Sequence, residues 1–486
     1  MKRYLALGLG VLVLALAGWS LAWWLGRGEV ERLVDESLAR LHEQGWQVDS
    51  ERRKVTGFPF SYGVRLDGVT ISDAESGLVL SLPSAIARAA GTKRTVIELP
   101  DSFRVDLPVP VLARAADPEI GEMMSLDGAA DDLVLILMAD ETAELTADQL
   151  VLRWQDEATG RRIVHSLAAV EATSLVDAPG MRYRLHAREA TIEADLPEED
   201  GRTAALASLR NVNLQGASAL RSGEALAEML YGGAEGQVDA ALTIGAAELE
   251  VTTEGVSPGT LEWDAEALNA GARLTSGRVE LDFEARGNEW TLTSPDPDMP
   301  LQGQLAMELA RARYAMPMAP TDEPEEMALS LNLDNGMAGE RIWATLDPGG
   351  VLPRAPASLR MGLSGLARVT TRIDQLLPGD EPPFEISTLN IDEVAVEALG
   401  AKLQAAGEIE LIQPSGRPLG EIRIGMTGLS ALVEALGEAG LISADMLVTA
   451  RAIMQVYLRE SSGNDAWTAV VEFTSGGAEV NGMKVR

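Results

Sequence analysis

The chain has 486 residues, 46% of them hydrophobic, and carries 40 Lys and Arg against 74 Asp and Glu, a formal net charge of −34. Nucleic acids are bound by clustered cationic side chains, so this balance argues against nucleic acid as a partner. The chain has no Cys, which excludes disulfides and thiol chemistry.

The first predicted element is a membrane-spanning helix. Leu5–Leu25 is an apolar segment without a charge or a Pro, and about 20 such residues cross the hydrocarbon core of a bilayer. Trp19, Trp23 and Trp24 lie near its far end, where indole rings suit the membrane interface. We therefore predict a transmembrane anchor over residues 1–27.

The flanks of this helix indicate its orientation and its fate. Lys2 and Arg3 precede it, and the positive-inside rule assigns such a flank to the cytoplasm. Ala15–Ala17 followed by Gly18 fits the cleavage pattern of a signal peptide, so a cleaved segment is an alternative. The apolar segment continues past that site, which favours an uncleaved anchor.

Two changes of hydrophobic period follow the anchor. Residues 28–45 repeat apolar side chains at helical spacing, which predicts an amphipathic stalk helix. From Trp46 onward the period is two, which is typical of half-buried strands. The acidic, Pro-rich segment Pro317–Glu326 breaks this pattern. We predict a first β-rich region at 46–316 and a second at 327–486, the latter with C-terminal helices and a hairpin.

Short Gly- and Asn-containing segments predict turns between strands. Gly287-Asn288 lies between Val279–Ala285 and Trp290–Leu292, and a two-residue turn there would place Phe283 opposite Leu292. Two further turns are predicted in the same way, at Asn335-Gly336 and at Gly476-Gly477. The turn at Gly476-Gly477 would place Phe473 opposite Val480. Consecutive hairpins predict an antiparallel sheet.

A few amphipathic segments predict helices that pack at the edges of the sheet. They are Ala219–Tyr231, Ala431–Gly437 and Ala444–Arg459. The predicted fold class is therefore mainly β with some α, an elongated antiparallel sheet ectodomain with edging helices, preceded by one transmembrane helix.

Signatures of catalysis are missing from the sequence. The three His residues, His42, His165 and His186, show no metal-binding spacing, and Gly362–Gly365 lacks the last glycine of a nucleophile elbow. Acidic pairs are so frequent in this chain that proximity alone does not indicate a glycosidase-like site. We predict no catalytic residue, no metal site and no cofactor.

One local motif stands out after the first predicted strand. Gly57, Phe58, Pro59 and Phe60 combine a permissive backbone position, a fixed φ and two aromatic rings on the same side. We interpret this motif as structural, a core plug beneath the first strands. Direct ligand contact is the alternative.

The anchor, the motif at 57–60 and the closing portion resemble a family of uncharacterised, singly anchored envelope proteins of Gram-negative bacteria, classed as a domain of unknown function. In the closing portion the resemblance rests on Ala405–Ile409, Gly420–Ile424, Gly428-Leu429 and Gly476–Gly482. More distantly, the layout is similar to AsmA-like envelope proteins. That similarity implies lipid homeostasis or lipid transport along a β-sheet groove, and neither resemblance implies catalytic residues.

We expect a non-enzymatic, single-pass protein of the inner membrane, with its N-terminus in the cytoplasm and its bulk in the periplasm, that handles lipid or maintains the envelope. The expected partners are the inner membrane, phospholipid and envelope proteins. An apolar sheet face would shelter acyl chains while an acidic exterior keeps the protein soluble. The first alternative is a structural scaffold or protein-interaction module, and the second is a carboxylate-based hydrolase.

Overall fold

The structure is a computed structural model of the chain. It describes residues 32, 34–36, 38–39, 42, 46–57, 63–73, 77–90, 93–108, 123–140, 142–157, 159–177, 180–198, 200–219, 229, 232–233, 235–255, 258–294, 301–372, 382–412, 416–461 and 465–485. These residues form two compact units, the first running to Ala194 and the second starting at Asp195.

The first unit is built from antiparallel strands. They are β1 (Trp46–Thr56), β2 (Gly63–Asp73), β3 (Val79–Ala89), β4 (Arg94–Glu98), β5 (Ser102–Pro108), β6 (Met123–Asp131), β7 (Val134–Met138), β8 (Thr142–Gln155), β9 (Arg162–Asp177) and β10 (Gly180–Glu198), whose end crosses into the second unit. Strand β3 pairs with both β4 and β5, and β8 pairs with both β6 and β7. Beside β3, the short strands β4 and β5 therefore take the place of a single neighbouring strand, and β6 and β7 do the same beside β8.

The second unit is also built from antiparallel strands. They are β11 (Gly201–Ser218), β12 (Gln237–Ile244), β13 (Ala246–Gly255), β14 (Gly259–Ala265), β15 (Ala267–Thr275), β16 (Arg278–Ser294), β17 (Leu301–Pro317), β18 (Glu325–Ala338), β19 (Ala357–Val369), β20 (Phe384–Ala398), β21 (Ala401–Ile412), β22 (Arg417–Thr427), β23 (Arg459–Glu460), β24 (Ala466–Thr474), β25 (Gly477–Val480) and β26 (Met483–Lys484). From β16 to β22, each strand pairs antiparallel with the next along the chain.

The helices of the second unit whose bounds lie within the described residues are α1 (Glu340–Leu346), α2 (Leu429–Glu438) and α3 (Ala444–Tyr457). Helix α3 begins where the Ser443 side chain accepts a hydrogen bond from the Met446 backbone N–H, a standard N-cap. The sequence-based predictions of helices at Ala431–Gly437 and Ala444–Arg459 are confirmed. The prediction of a mainly β, antiparallel fold with few helices is confirmed as well.

A crease crosses the strands of the second unit. Asn211, Gly287 and Asn335 each have a left-handed backbone, with φ of 53°, 60° and 56°. The strand register places Gly245 opposite Asn211. It also places Glu308 of β17 opposite Gly287 of β16 on one side and opposite Asn335 of β18 on the other. Because one left-handed residue bends a strand and reverses the side-chain alternation beyond it, these positions form one line of bends.

The first unit has a crease of its own, and its core lies there. Gly68, Asp132 and Ala169 are left-handed, with φ of 60°, 51° and 50°. Buried apolar residues flank these positions and form two clusters: Val69, Leu82 and Ala85 in one, and Ala130, Leu133, Ala147 and Val170 in the other.

The predicted hairpins at Gly287-Asn288 and Asn335-Gly336 are wrong. Each pair lies inside a single strand, β16 or β18, and marks the crease. Phe283 therefore pairs with Ala312, and Leu292 pairs with Gly303. The chain bends at Gly287 without reversing, because only one residue of the pair leaves the extended conformation.

The hairpin at the C-terminus exists, but its register differs from the prediction. Strands β24 and β25 pair with Phe473 opposite Ala478, and Val480 faces Val471 instead. The turn is formed by Ser475-Gly476, since Thr474 and Gly477 are the last paired residues. Segment Pro317–Glu326 connects β17 and β18, which are paired neighbours.

In the described part of the chain, no helix is long and apolar enough to cross a membrane. The predicted anchor over residues 1–27, with Trp19, Trp23 and Trp24, lies outside the described residues, as does nearly all of the predicted helix Ala219–Tyr231. Those residues between 32 and 42 that are described are helical, with Val34 and Leu38 half-buried. There Asp35 Oδ1 accepts a hydrogen bond from Arg53 Nη1 of β1 at 2.7 Å.

Candidate functional site

The second unit has an apolar and a charged sheet face. In β16 the alternation places Leu281, Phe283 and Ala285 on the apolar face, and beyond the left-handed Gly287 the same face continues with Trp290. The intervening side chains, which face the other way, are Glu280, Asp282, Glu284 and Glu289. The change of phase at the crease thus keeps one face apolar along the whole strand.

The apolar side chains form rows that cross the strands. Directly paired residues project to the same face of an antiparallel sheet, so the register can be followed from strand to strand through Leu281. We name the resulting series the Leu281 row: Ala240, Ala272, Leu281, Tyr314, Leu329, Leu363, Ile391, Gly407, Ile422 and Val471.

A second row crosses the part of the sheet beyond the crease. We name it the Leu292 row, and it contains Ala205, Val251, Leu261, Leu292 and Gly303. The Leu281 row and the Leu292 row lie on opposite sides of the crease and belong to the same apolar face. We use the word trough for the apolar face of β11–β18 on both sides of the crease.

Burial in the trough falls with distance from the crease. Ala285 and Asn288, which flank Gly287, are each 1% exposed. Farther along the same arm, Leu281 is 45% exposed, and its row neighbours Tyr314 and Leu329 are 38% and 39% exposed. Side chains at the crease therefore pack together, whereas those in the arms leave apolar surface open.

The buried side-chain amide of Asn288 connects three strands at the crease of the trough. Asn288 Nδ2 donates to the backbone oxygens of Ala285 at 3.1 Å and Met307 at 3.4 Å. Its Oδ1 accepts a hydrogen bond from Trp263 Nε1 at 3.4 Å. The amide thus bridges the bend in β16 and joins it to β17 and β14, and its polar atoms are satisfied, as burial requires.

Tyr314 is a polar side chain among the apolar groups of the Leu281 row. Its hydroxyl donates to the Met316 sulfur at 2.8 Å, and thioether sulfur is a weak acceptor. Burial raises the pKa of the Tyr314 phenol above its usual value. The open arm is thus already less solvated than bulk surface.

The charged face is covered by ion pairs. Arg311 Nε and Arg286 Nε each donate to Glu284 at 2.8 Å, and these hydrogen bonds, the one from Arg311 first, hold the pKa of Glu284 below its usual range despite some desolvation. The hydrogen bond from Arg273 lowers the pKa of Asp239 in the same way. This face presents charge and hydrogen-bonding groups to water.

An acidic groove lies at the bulge of β20. It is lined by Asp392, Glu408, Glu410 and Glu421 together with Arg423. Two of these carboxylates have partners, since Ser364 donates to Asp392 at 2.9 Å and Arg423 pairs with Glu421 at 2.6 Å. Among the described residues, no group of three or more His, Asp or Glu is arranged to hold a metal ion.

The residues singled out from the sequence lie elsewhere. Gly57 follows β1 with φ of 100°, whereas Phe58, Pro59 and Phe60 lie outside the described residues. His165 is exposed on β9 opposite Leu152. The residues of the trough were not predicted from the sequence, although the shift of apolar side chains from odd to even positions between Ala285 and Trp290 indicates its crease.

One of the comparisons with known proteins gives a match. Residues 23–254 match the family described as "Uncharacterized protein conserved in bacteria (DUF2125)". Neither a curated protein nor a solved structure matches the chain. The chain is therefore similar over residues 23–254 to an uncharacterised family that is conserved in bacteria.

Proposed function

We propose that this protein binds the acyl chains of lipids in the trough of its second unit, as a non-enzymatic protein anchored in the inner membrane with its bulk in the periplasm. The observation that carries the proposal is the open Leu281 row, in which paired apolar side chains of successive strands remain partly exposed. Phospholipid is the proposed partner, and neither cofactor nor metal takes part.

The dimensions of the row suit a hydrocarbon chain. Within the trough, from Ala240 on β12 to Leu329 on β18, the row crosses four strand spacings, which is about 19 Å at about 4.8 Å each. One leaflet of a bilayer contributes about 15 Å of the roughly 30 Å hydrocarbon core. An acyl chain laid across the strands therefore fits along the row.

The chemistry of the row also suits a hydrocarbon chain. Burial of apolar groups gives about 0.8 kcal/mol per methylene, so a chain of about sixteen carbons gains roughly 13 kcal/mol before the cost of association. That cost is about 4–15 kcal/mol. The gain from a fully buried chain is therefore of the same size as the cost of association, so the affinity depends on how completely the row removes the chain from water.

The proposed location rests on the apolar segment Leu5–Leu25 and its basic flank. We expect fractionation of bacteria that express the full chain to recover it with the inner membrane. In spheroplasts, protease added from outside should digest the bulk of the chain. Recovery in the cytosol, or protection from the protease, would contradict the proposed location.

Photo-crosslinking tests the acyl-chain site in the full-length protein. Bacteria expressing the tagged chain are fed a palmitate analogue that carries a diazirine, irradiated, and the purified protein is assayed for covalently attached lipid. The double variant Leu281→Gln/Leu329→Gln places polar groups in the open row, whereas the matched control Asp282→Gln/Ser330→Gln alters the neighbouring positions of the same strands on the charged face.

We expect the wild type and the control to be labelled, with crosslinked peptides from β16–β18. In the trough variant, labelling should fall about tenfold, which corresponds to a loss of about 1.4 kcal/mol of binding free energy. Leu281 and Leu329 are already partly exposed, so both variants should fold, and thermal denaturation checks this. Equal labelling of the two variants, or crosslinks confined to other segments, would rule out the trough as the site.

A second candidate is a protein-interaction module, and helix α3 favours it. Met446, Ile453 and Val456 are each more than half exposed, and their spacing of seven and three residues places them on one side of the helix, whereas Met454 on the same helix is buried. Such an apolar helix face suits a second copy of this chain. Crosslinking in cells from a photoreactive residue at Ile453 would then yield dimers, and recovery of monomer alone would count against this function.

A further inference from the structure

The Leu292 row ends where β18 leaves the sheet. Ala338, the last residue of β18, pairs with Leu305 of β17, and the Gly339 N–H still donates to the Gln304 oxygen at 2.7 Å. One position farther, opposite Gly303, the chain no longer pairs and starts α1 instead. The sheet thus loses its next strand at the position where the row reaches Gly303.

Helix α1 then returns over the apolar face at this point. A Cβ atom placed on Gly303 would lie 2.5 Å from Ile342 Cγ1 and 2.8 Å from Ile342 Cδ1. Gly303 pairs with Leu292 and so belongs to the apolar face. The Ile342 side chain therefore occupies the space above Gly303 and closes the row beside Leu292.

Several contacts fix α1 in this position. Arg354 Nη1 donates to Glu340 Oε2 at 2.7 Å, and its guanidinium lies 5.8 Å from the ring centre of Trp343. The turn after the helix is held by the buried Asp347, which accepts hydrogen bonds from the backbone N–H groups of Val351 and Leu352. Helix α1 is therefore held in place by contacts at its first residue, Glu340, and in the turn that follows its last residue.

The open length of the Leu292 row can be compared with an acyl chain. Ala205 on β11 and Leu292 on β16 are separated by three strand spacings, about 14 Å at about 4.8 Å each. A single leaflet offers an acyl chain about 15 Å of depth. The row before Ile342 therefore has nearly the length of one acyl chain.

We infer that α1 is the end stop of the trough and that Ile342 sets the length of the acyl chain that binds. This inference rests on the proposed function, because the Leu292 row belongs to the same trough as the Leu281 row and lies on the other side of the crease. An acyl chain lying against the Leu292 row places its terminal methyl against Ile342. A smaller side chain at position 342 lengthens the row, and a larger one shortens it.

Competition against the same photoactivatable palmitate tests the inference in the full-length protein. Membranes containing the chain are irradiated in the presence of unlabelled saturated fatty acids of increasing length, and the best competitor is identified for each variant. Ile342→Ala should favour longer competitors and Ile342→Trp shorter ones. The matched control is Leu346→Ala, an exposed position on the same helix.

We expect the ratio of long to short competitor strength to change about tenfold in opposite directions for the two Ile342 variants, the factor that two methylenes supply. Leu346→Ala should keep the wild-type preference. If α1 loosens in Ile342→Ala, the milder Ile342→Val should still shift the preference toward longer chains. Labelling with an unchanged length preference in all Ile342 variants would overturn the end stop alone, whereas a wild type that is not labelled would overturn the proposed function with it.

Discussion

Gly287 occupies the left-handed region at the crease of the second unit, and the positions that share its role are Asn211 and Asn335. Gly and Asn are the residues that adopt this conformation at least cost. The space at Gly287 is also closed, since an added Cβ would lie 2.5 Å from Glu266 Cγ. Both the backbone and the neighbouring side chain thus select glycine here.

We expect Gly287→Ala to lower the free energy of unfolding by about 1–2 kcal/mol, the cost of a left-handed conformation for a residue with a Cβ. Gly287→Asn should lose less than Gly287→Ala, because both add a Cβ beside Glu266 but asparagine adopts the left-handed conformation at less cost, as it does at position 335. Urea denaturation measures both. The control is Gly425→Ala, where an added Cβ meets no atom within 4 Å, and equal losses at the two glycines would contradict the argument.

Helix α2 is attached to the sheet by one carboxylate. Asp465 Oδ1 accepts hydrogen bonds from the Ser430 N–H at 3.0 Å and Trp467 Nε1 at 2.7 Å, and Oδ2 accepts one from the Ala431 N–H at 3.1 Å. Burial alone would raise the pKa of Asp465, but these hydrogen bonds outweigh it and lower the pKa. The carboxylate thus caps the first turn of α2 and fixes the helix to β24.

We expect Asp465→Asn to cost about 1 kcal/mol of stability at pH 7, within the range for helix N-caps. Because the folded-state pKa is lowered, this stabilisation is complete above the unfolded pKa of about 3.9 and is lost as the pH falls through the folded value. Denaturation at pH 7 and near pH 3 measures the difference. The exposed Asp322→Asn serves as control, and a deficit that persists undiminished at the lower pH would contradict the cap.

The sequence predicts elements better than it predicts their pairing. Alternation and capping, as at Ser443, are local signals, and α2 and α3 lie close to their predicted bounds. Gly287-Asn288 shows the limit, because the same two residues suit a hairpin turn and a bend inside a strand. The choice depends on the pairing of Arg286 with Leu309 and of Asn288 with Met307, which is not local. The rows of the trough depend on such pairings and could not be read from the sequence.

At the scale of the whole molecule, acidic residues far outnumber basic ones. The chain carries 74 acidic against 40 basic residues, a net charge of −34, so ion pairs such as Arg273 with Asp239 cannot neutralise all of its carboxylates. Surface pairs of this kind each contribute little. Long-range repulsion between the unpaired carboxylates therefore opposes folding more than the pairs assist it.

We therefore expect added sodium chloride to stabilise the protein. Between about 0.01 M and 0.15 M ionic strength the screening length falls from roughly 30 Å to 8 Å, which weakens repulsion across the surface more than contacts between neighbours. The midpoint of thermal unfolding at pH 7 should rise over this range. A midpoint that falls would mean that the ion pairs dominate and would contradict the argument.

The pairing of each strand with its successor from β16 to β22 has a consequence for how such a chain can change in size. Duplication or excision of one hairpin, such as β19 with β20, preserves the antiparallel pairing of successive strands and changes the width of the sheet by two strand spacings, about 10 Å. The width of the sheet can therefore change in steps of one hairpin, while the remaining strands keep their pattern of pairing.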